Sequence, residues 1–298
     1  MTVTYRPARQ QELAHAEELV ARSINDLTQR HGFGPMASAR PPHFQSFSLR
    51  DDPGGLWVAE EDGEMLGFAF SWVSDGLWFL AELFVVPGQQ GRGIGNELLT
   101  RTLAHAMTAK ANNKALIAFA FNIVSQGLYM RHGLYPRLPL YLFKVPREVL
   151  LPRLQGELIE SVSLGAADMQ GLVAIDARAL GVSREKHHRY LLSGGDVKAV
   201  LFRAGSESVG YAYIGPTGQV GPLAVTRPET MGAAFRSALM LAAEGGAAQI
   251  TAFVPGTSHD ALGVAAEHGM RIAFPMMLMS SRGFGDWTSY LPRNPGFM

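Results

Sequence analysis

Apolar positions recur along this chain with two periods, and each change of period marks an element. Leu13, Ala16, Leu19, Val20, Ile24 and Leu27 fall on one side of a segment from about Gln10 to Arg30, which predicts an amphipathic helix behind a short strand near Val3–Arg6. Runs rich in aromatic and apolar residues follow near Gly55–Glu60, Met65–Val73 and Leu77–Val86. The turns Glu61-Asp62-Gly63 and Ser74-Asp75-Gly76 separate them, so they predict a meander of strands. Then come a helix from about Ile94 to Lys110, an apolar strand near Asn113–Phe121, a short helix Val124–His132 and a strand near Tyr141–Val145. His31–Pro53 is rich in Gly, Pro, Ser, His and Phe with weak periodicity, and predicts a long loop of a kind more often functional than filler.

The most informative passage lies where the third meander strand meets the next helix. Leu83-Phe84-Val85-Val86-Pro87-Gly88-Gln89-Gln90-Gly91-Arg92-Gly93-Ile94-Gly95 is a strand that breaks into a glycine loop and opens a helix. The first N–H groups of a helix lack partners and carry partial positive charge, so an anion is stabilised there. Gly91, Gly93 and Gly95 give the loop backbone freedom and close approach, and Arg92 adds a side-chain charge. The passage reads as a phosphate cradle; the alternative is a glycine-rich turn that binds nothing. A Walker loop is excluded, because Gly93-Ile94-Gly95-Asn96 has no Gly-Lys-Ser or Gly-Lys-Thr ending. The dinucleotide fingerprint fits poorly, because the glycines alternate and the preceding region is a meander rather than a β-α-β unit.

The plan then repeats in weaker form. Leu66-Gly67-Phe68-Ala69-Phe70 has a counterpart in Val209-Gly210-Tyr211-Ala212-Tyr213, Leu83–Val86 in Leu223-Ala224-Val225-Thr226, and Arg131-His132-Gly133-Leu134 in Glu267-His268-Gly269-Met270. Pro146–Arg153 is bracketed by prolines and reads as a linker, giving domains at 1–147 and 148–298. The second copy has lost the cradle. Arg227-Pro228-Glu229-Thr230-Met231-Gly232 offers one glycine, a proline without an N–H, and a carboxylate that would repel a phosphate. This half is expected to be non-catalytic, with a structural role or a part in walling the acceptor site.

Composition narrows the partners. The chain has 298 residues, with Lys plus Arg and Asp plus Glu each at 26 and no basic stripe, which argues against nucleic acid. Its amino-terminal stretch Met1–Arg6 is too polar for a secretory signal, and no apolar run approaches the roughly 20 residues of a membrane span. A cytoplasmic enzyme with no membrane partner is expected. The absence of cysteine removes disulfides, thiolate metal sites and an acyl-cysteine intermediate. No Gly-x-Ser-x-Gly elbow supports a serine acyl-enzyme either. His187-His188 point about 100 degrees apart on a helix, a poor metal chelate, and read as solvated surface; Met276-Met277-x-Met279 reads as a buried strand.

Val85-x-Pro87-x-x-Gln90-x-x-Gly93-x-Gly95 resembles the acyl-CoA pyrophosphate loop of the GNAT superfamily of N-acyltransferases: Arg or Gln, two residues, Gly, one residue, then Gly or Ala. A second stretch resembles the same family in the right order, with Asn122, Ser125, Leu128-Tyr129, Arg131 and Gly133-Leu134 after the apolar run Ala115–Phe121. The resemblance implies an α+β (mixed α/β) fold of two tandem GNAT-like domains, each a mixed, mostly antiparallel twisted sheet flanked by helices. It implies acetyl-CoA as co-substrate and no metal. It also implies strands Leu83–Val86 and Ala115–Phe121 that splay, leaving backbone groups for the pantetheine and the thioester carbonyl. The implied cofactor-binding set is Phe84, Val85, Val86, Gln90, Gly91, Arg92, Gly93, Ile94, Gly95, Asn122, Ser125 and Tyr129. The region after the first helix would help form the acceptor pocket.

Chemistry needs a base for the incoming amine and an acid for the departing thiolate. By the resemblance Tyr129 is the acid, since a phenol of pKa about 10 can protonate a thiolate whose conjugate acid lies at about 8.5 when the two are held together; the alternative is a packed aromatic. Glu82, a carboxylate in an apolar strand beside the loop, is the candidate base; alternatively it pairs with a cation or caps a local network. The expected activity is transfer of an acetyl group from acetyl-CoA to a primary amine, on a small molecule or peptide, by direct attack in a ternary complex. The chain would act as a monomer or homodimer. The other reading is a non-catalytic acyl-CoA-binding sensor or scaffold.

Overall fold

The computed structural model describes residues 2–194 and 197–298, so Met1 of the amino-terminal stretch lies outside them. The chain divides into two compact units. The first comprises Met1–Ile117, Phe121–Tyr135 and Met279–Arg282; the second comprises Ala118–Ala120, Pro136–Leu278 and Gly283–Met298.

Unit 1 is built on strands β1 (Thr4–Pro7), β2 (Leu56–Glu61), β3 (Glu64–Ser74), β4 (Leu77–Val85) and β5 (Asn113–Phe119), in that spatial order. β1 to β4 pair antiparallel, β2 with β3 and β3 with β4 through the two expected turns, and β4 pairs with β5 in parallel. Its helices are α1 (Leu13–Arg30), α2 (His43–Asp51), α3 (Ile94–Thr108) and α4 (Ile123–Arg131). The strand period of two assigns them to faces. Gly67, Ala69 and Ser71 of β3 look toward α3, where an added Cβ at Gly67 would come within 2.9 Å of Leu98 Cδ1 and His105 lies 3.2 Å from Ser71. Phe70 looks the other way, where Phe44 of α2 meets it edge-on at 5.5 Å. The small residue in β3 therefore lets the helix that follows the glycine loop seat directly on the sheet.

α2 corrects the expectation of a continuous loop over His31–Pro53: Phe44 and Phe47 at helical spacing behind Pro41-Pro42 suffice to wind this turn once Phe44 can bury against Phe70.

Unit 2 follows the same plan. After β6 (Tyr135–Pro146) come α5 (Arg147–Leu150), β7 (Glu160–Ser163), α6 (Met169–Leu180), α7 (Glu185–Ser193), β8 (Lys198–Ala204), β9 (Glu207–Ile214), β10 (Gln219–Val225), α8 (Met231–Glu244), β11 (Gln249–Pro255), α9 (His259–Glu267), β12 (Arg271–Ser280) and β13 (Tyr290–Leu291). The strands run β12-β6-β11-β10-β9-β8-β7, with β13 added to β10. The segment Pro146–Arg153 is not an extended linker. It forms α5 and a 3-10 turn, because Leu150 is buried in the core under α8 and the Arg147 N–H donates to Ala248 O at 2.9 Å. Met276 and Met279 are buried in β12, as expected of a core strand.

Candidate active site

β4 and β5 register from Leu77↔Asn113 to Leu80↔Leu116, and this pairing ends while β4 continues with β3 as far as Val85↔Gly67. The parting coincides with a bulge. Ser71 faces Leu80 but Phe70 faces Glu82, so Ala81 is the extra residue that turns β4 away from its parallel neighbour. The expected splay is present, and the backbone of Leu83, Phe84 and Val85 lies along it.

The loop beyond β4 is held by short-range bonds. Val86 N–H donates to Leu66 O at 2.9 Å, Gln89 N–H to Val86 O at 3.0 Å, and Gln90 Nε2 to Val85 O at 3.2 Å. Gly91 and Gly93 take φ values of +83° and +84°, with nothing within 4 Å of an added Cβ, so conformation rather than crowding demands glycine there. Gly93 caps α3 and Ile94 is buried as its first residue. Gly95 differs from the expectation. It is helical, and an added Cβ would meet Val85 Cγ2 at an ordinary 3.7 Å, so alanine fits. Arg92 is exposed and held at the loop edge by Glu61 at 2.9 Å and by Gln89 at 2.5 Å.

Asn122 and Ser125 act on their own helix: Ser125 N–H donates to Asn122 Oδ1 at 3.2 Å and Ser125 Oγ to Asn122 O at 3.1 Å, which caps α4. α4 in turn meets the start of α3, where His132 Nε2 lies 2.9 Å from Asn96 Oδ1. Tyr129 is buried on α4, and burial raises its phenol pKa above the ordinary value.

Glu82 sits on the face opposite α3, in company that sequence reasoning missed. Gln45 of α2 donates from Nε2 to Glu82 Oε1 at 3.0 Å and also to Glu17 Oε1 of α1. Glu82 Oε2 is shut off from solvent and has no hydrogen-bond partner. Burial, reinforced by the charge of Glu17, pushes the Glu82 carboxyl up to about 8, against a smaller opposing effect of Gln45. Burial also raises Glu17, whose carboxylate the Arg40 backbone N–H and guanidinium partly steady. A carboxyl tuned into the neutral range is suited to accept a proton. The signal that could have found Gln45 is the Phe44/Phe47 spacing; Glu17 shows none beyond interrupting an apolar face.

A second polar chain supports α2 from below. Ser71 Oγ lies 3.2 Å from His105 Nδ1, and His105 Nε2 lies 2.8 Å from Asp52 Oδ1 just after α2. Ser71 is fully buried, so this Ser-His-Asp order ties α2 to α3 and offers no accessible nucleophile.

His187 and His188 overturn the solvated-surface expectation, being 0% and 1% exposed. α7 is covered on two sides. His188 Nε2 lies 2.9 Å from Asp176 Oδ2 and its Nδ1 2.9 Å from the Tyr213 hydroxyl, while the His187 ring meets Phe297 edge-on at 4.8 Å. Among the described residues no group of three or more His, Cys, Asp or Glu is placed to hold a metal, and no helix is long and apolar enough to cross a membrane.

Residues 21–134 match the acetyltransferase (GNAT) family. A curated relative, mycothiol acetyltransferase of Streptomyces avermitilis, is 36% identical over 84 residues; the match spans 28% of this chain and only 27% of that protein. In fold, a putative acetyltransferase from Pyrococcus horikoshii superposes with a TM-score of 0.73 at 18% identity, covering 97% of this chain and 92% of that one. A tandem GNAT protein from the clavulanic acid biosynthesis pathway gives 0.62 at 15% identity, covering 94% and 98%. Residues 21–134 thus carry a domain of the GNAT acetyltransferase family, in a chain with the fold of a tandem GNAT protein.

Proposed function

We propose that the chain is an N-acetyltransferase that moves an acetyl group from acetyl-CoA to a primary amine on a small molecule or peptide, in a catalytic copy at 1–147 beside a non-catalytic copy at 148–298. The observation that carries this reading is the parting of β4 from β5 immediately before a positive-φ glycine loop and a helix start. The residues present fit the coenzyme. Amides around Gly91, Gly93 and Gly95 and the α3 N-terminus would hold the diphosphate, and the parted edge of Leu83–Val86 would take the pantetheine amides. Arg92 would border the diphosphate; Phe84, Val85 and Ile94 would give the arm an apolar floor. Asn122 and Ser125 would contribute by holding the first turn of α4, and so Tyr129, in place.

Bound acetyl-CoA supplies an activated thioester carbonyl. Glu82 removes a proton from the arriving ammonium, so that a neutral nitrogen attacks in a ternary complex with both substrates present. Tyr129 donates its phenolic proton to the departing sulfur, and the second proton of the attacking nitrogen, lost as the adduct collapses to the amide, restores the phenol. Burial raises the phenol above its ordinary value, so it stays protonated until the sulfur departs.

Calorimetric titration with acetyl-CoA, followed by free-thiol release across an amine panel, tests the reading; binding without acceptor-dependent thiol release overturns it. With a responding amine, Tyr129→Phe is expected to lower kcat by about a hundredfold or more. Wild-type turnover across the pH range would remove the acid assignment.

A further inference from the structure

We infer that Gln45 and Glu17 are positioning residues for Glu82, so that the proton acceptor is a unit of three side chains drawn from β4, α2 and α1 rather than a lone carboxylate. The inference rests on the reading of Glu82 as base and adds what sets its orientation and proton affinity. The geometry is specific. One amide nitrogen has two hydrogens, and Gln45 Nε2 spends one on Glu82 Oε1 and the other on Glu17 Oε1. That leaves Glu82 with one oxygen fixed and the other, Oε2, enclosed and unpartnered. An enclosed carboxylate oxygen without a donor is costly, and the part of that cost due to charge is relieved when the oxygen takes a proton or receives an N–H. The arrangement therefore favours uptake of a proton at Oε2, the step a base performs on an amine.

Glu17 acts through the same bridge. Its carboxylate anchors the far side of Gln45, and its own position is steadied by the Arg40 backbone N–H. Its charge is the one that bears on Glu82, and the Arg40 charge bears on Glu17. Phe70, across from Glu82 on β3, brings no charge. The two positioning residues act with opposite sign. The charge of Glu17 raises the proton affinity of Glu82, whereas the hydrogen bond from Gln45 lowers it.

The test needs no acceptor. In the full chain carrying carboxyl-labelled glutamate, carbon NMR follows the resonance that Glu82→Gln removes. Wild type is expected to titrate near the value of about 8 given by its surroundings. Glu17→Gln should move that midpoint down by about half a unit or more, and Gln45→Met should move it up. A purely structural role for either residue predicts no ordered pair of opposite shifts. A midpoint that stays put in either folded variant, or moves the other way, overturns the inference; should one variant fail to fold, the sign in the other decides. The base reading fails separately, if Glu82→Gln leaves the pH dependence of thiol release unchanged.

Discussion

β4 and β10 hold the same place in the two copies. Both bulge, β4 at Ala81 and β10 between Val220 and Leu223, and both leave their parallel neighbour there. What lies beyond differs. In unit 1 the edge of β4 runs on into the glycine loop. In unit 2 Leu223 and Ala224 pair with Leu291 and Tyr290, and Val225 N–H donates to Ser289 O at 3.0 Å, so a later strand of the chain occupies that edge. The opposite face repeats the contrast. Phe68 and Phe70 correspond to Tyr211 and Tyr213, whose hydroxyls engage Asp176 and His188, while Arg184 bonds Tyr290 and reaches Met298 O at 2.7 Å. The first copy keeps an enclosed carboxylate oxygen free; the second closes its Asp-His-Tyr chain with bonds at every link. Arg184 Nε is left without a partner in the second copy, so the contrast lies in the carboxylates: both oxygens of Asp176 are bonded, as suits a structural role, whereas one oxygen of Glu82 stays open for chemistry.

The largest effects come from removing one acid from each cluster. Asp176→Ala strands His188 and the Tyr211 hydroxyl in the interior, and is expected to cost about 3–5 kcal/mol, or roughly 10 °C in Tm, while the folded fraction keeps its affinity for acetyl-CoA. Glu82→Gln should act in the other direction on stability. Its carboxyl is raised from an ordinary 4.5 to about 8, so the folded chain binds more protons than the unfolded chain between those values. Its contribution to stability is intact below the unfolded value and is lost as pH rises through the folded one. Glu82→Gln should therefore melt close to wild type at pH 4.5 and above it at pH 8.5. Thermal melts at both values decide; a gain for Asp176→Ala, or an equal response of Glu82→Gln at both values, would erase the distinction between the clusters.

The elements of unit 1 and the glycine loop before α3 were legible because local signals carry them: strand and helix periods, turn glycines and the spacing from Gln90 to Gly95. The splay was legible only through the resemblance, since nothing in Leu83–Val86 itself announces a lost neighbour. Gln45 and Glu17 were not legible, because their meaning depends on α2 folding back onto β3 and β4, a contact between residues far apart in sequence. The burial of His187 failed for the same reason: the covering ring belongs to Phe297, more than a hundred positions away.

A smaller effect separates the two helix starts. Gly93→Ala forces a Cβ onto a residue at φ +84° and is expected to cost about 1–2 kcal/mol, with acetyl-CoA affinity falling by about tenfold as the loop amides lose their aim. Gly232 is different. It lies inside α8 at ordinary φ, and an added Cβ would meet Asp260 Cβ at 3.7 Å and Val264 Cγ2 at 3.8 Å. Gly232→Ala should leave affinity unchanged and stabilise by up to about 1 kcal/mol through helix propensity. Calorimetry and melts on the pair check both. Equal losses of affinity would mean that both starts bind the coenzyme.

The smallest effect belongs to the arginines at the same two starts. Arg92 is tied to Glu61 and Arg227 to Glu207, both in solvent, so neither pair is expected to add measurable stability. Their consequences for an anion differ. Removing Arg92 takes a positive charge from beside the proposed cradle and also releases the Glu61 carboxylate, whose pKa Arg92 lowers, to repel the diphosphate. Arg92→Ala should weaken acetyl-CoA binding by about two- to fivefold at low salt. At about 1 M salt the Debye length shrinks to about 3 Å, and the difference from wild type should vanish. Arg227→Ala should show no change at either salt, because Pro228 and Glu229 already deny that helix start to an anion. A loss for Arg92→Ala that persists undiminished in high salt would mean that the guanidinium holds the loop conformation through Gln89 and Glu61 rather than the diphosphate through its field, and would move Arg92 from the cofactor set to the scaffold beneath it.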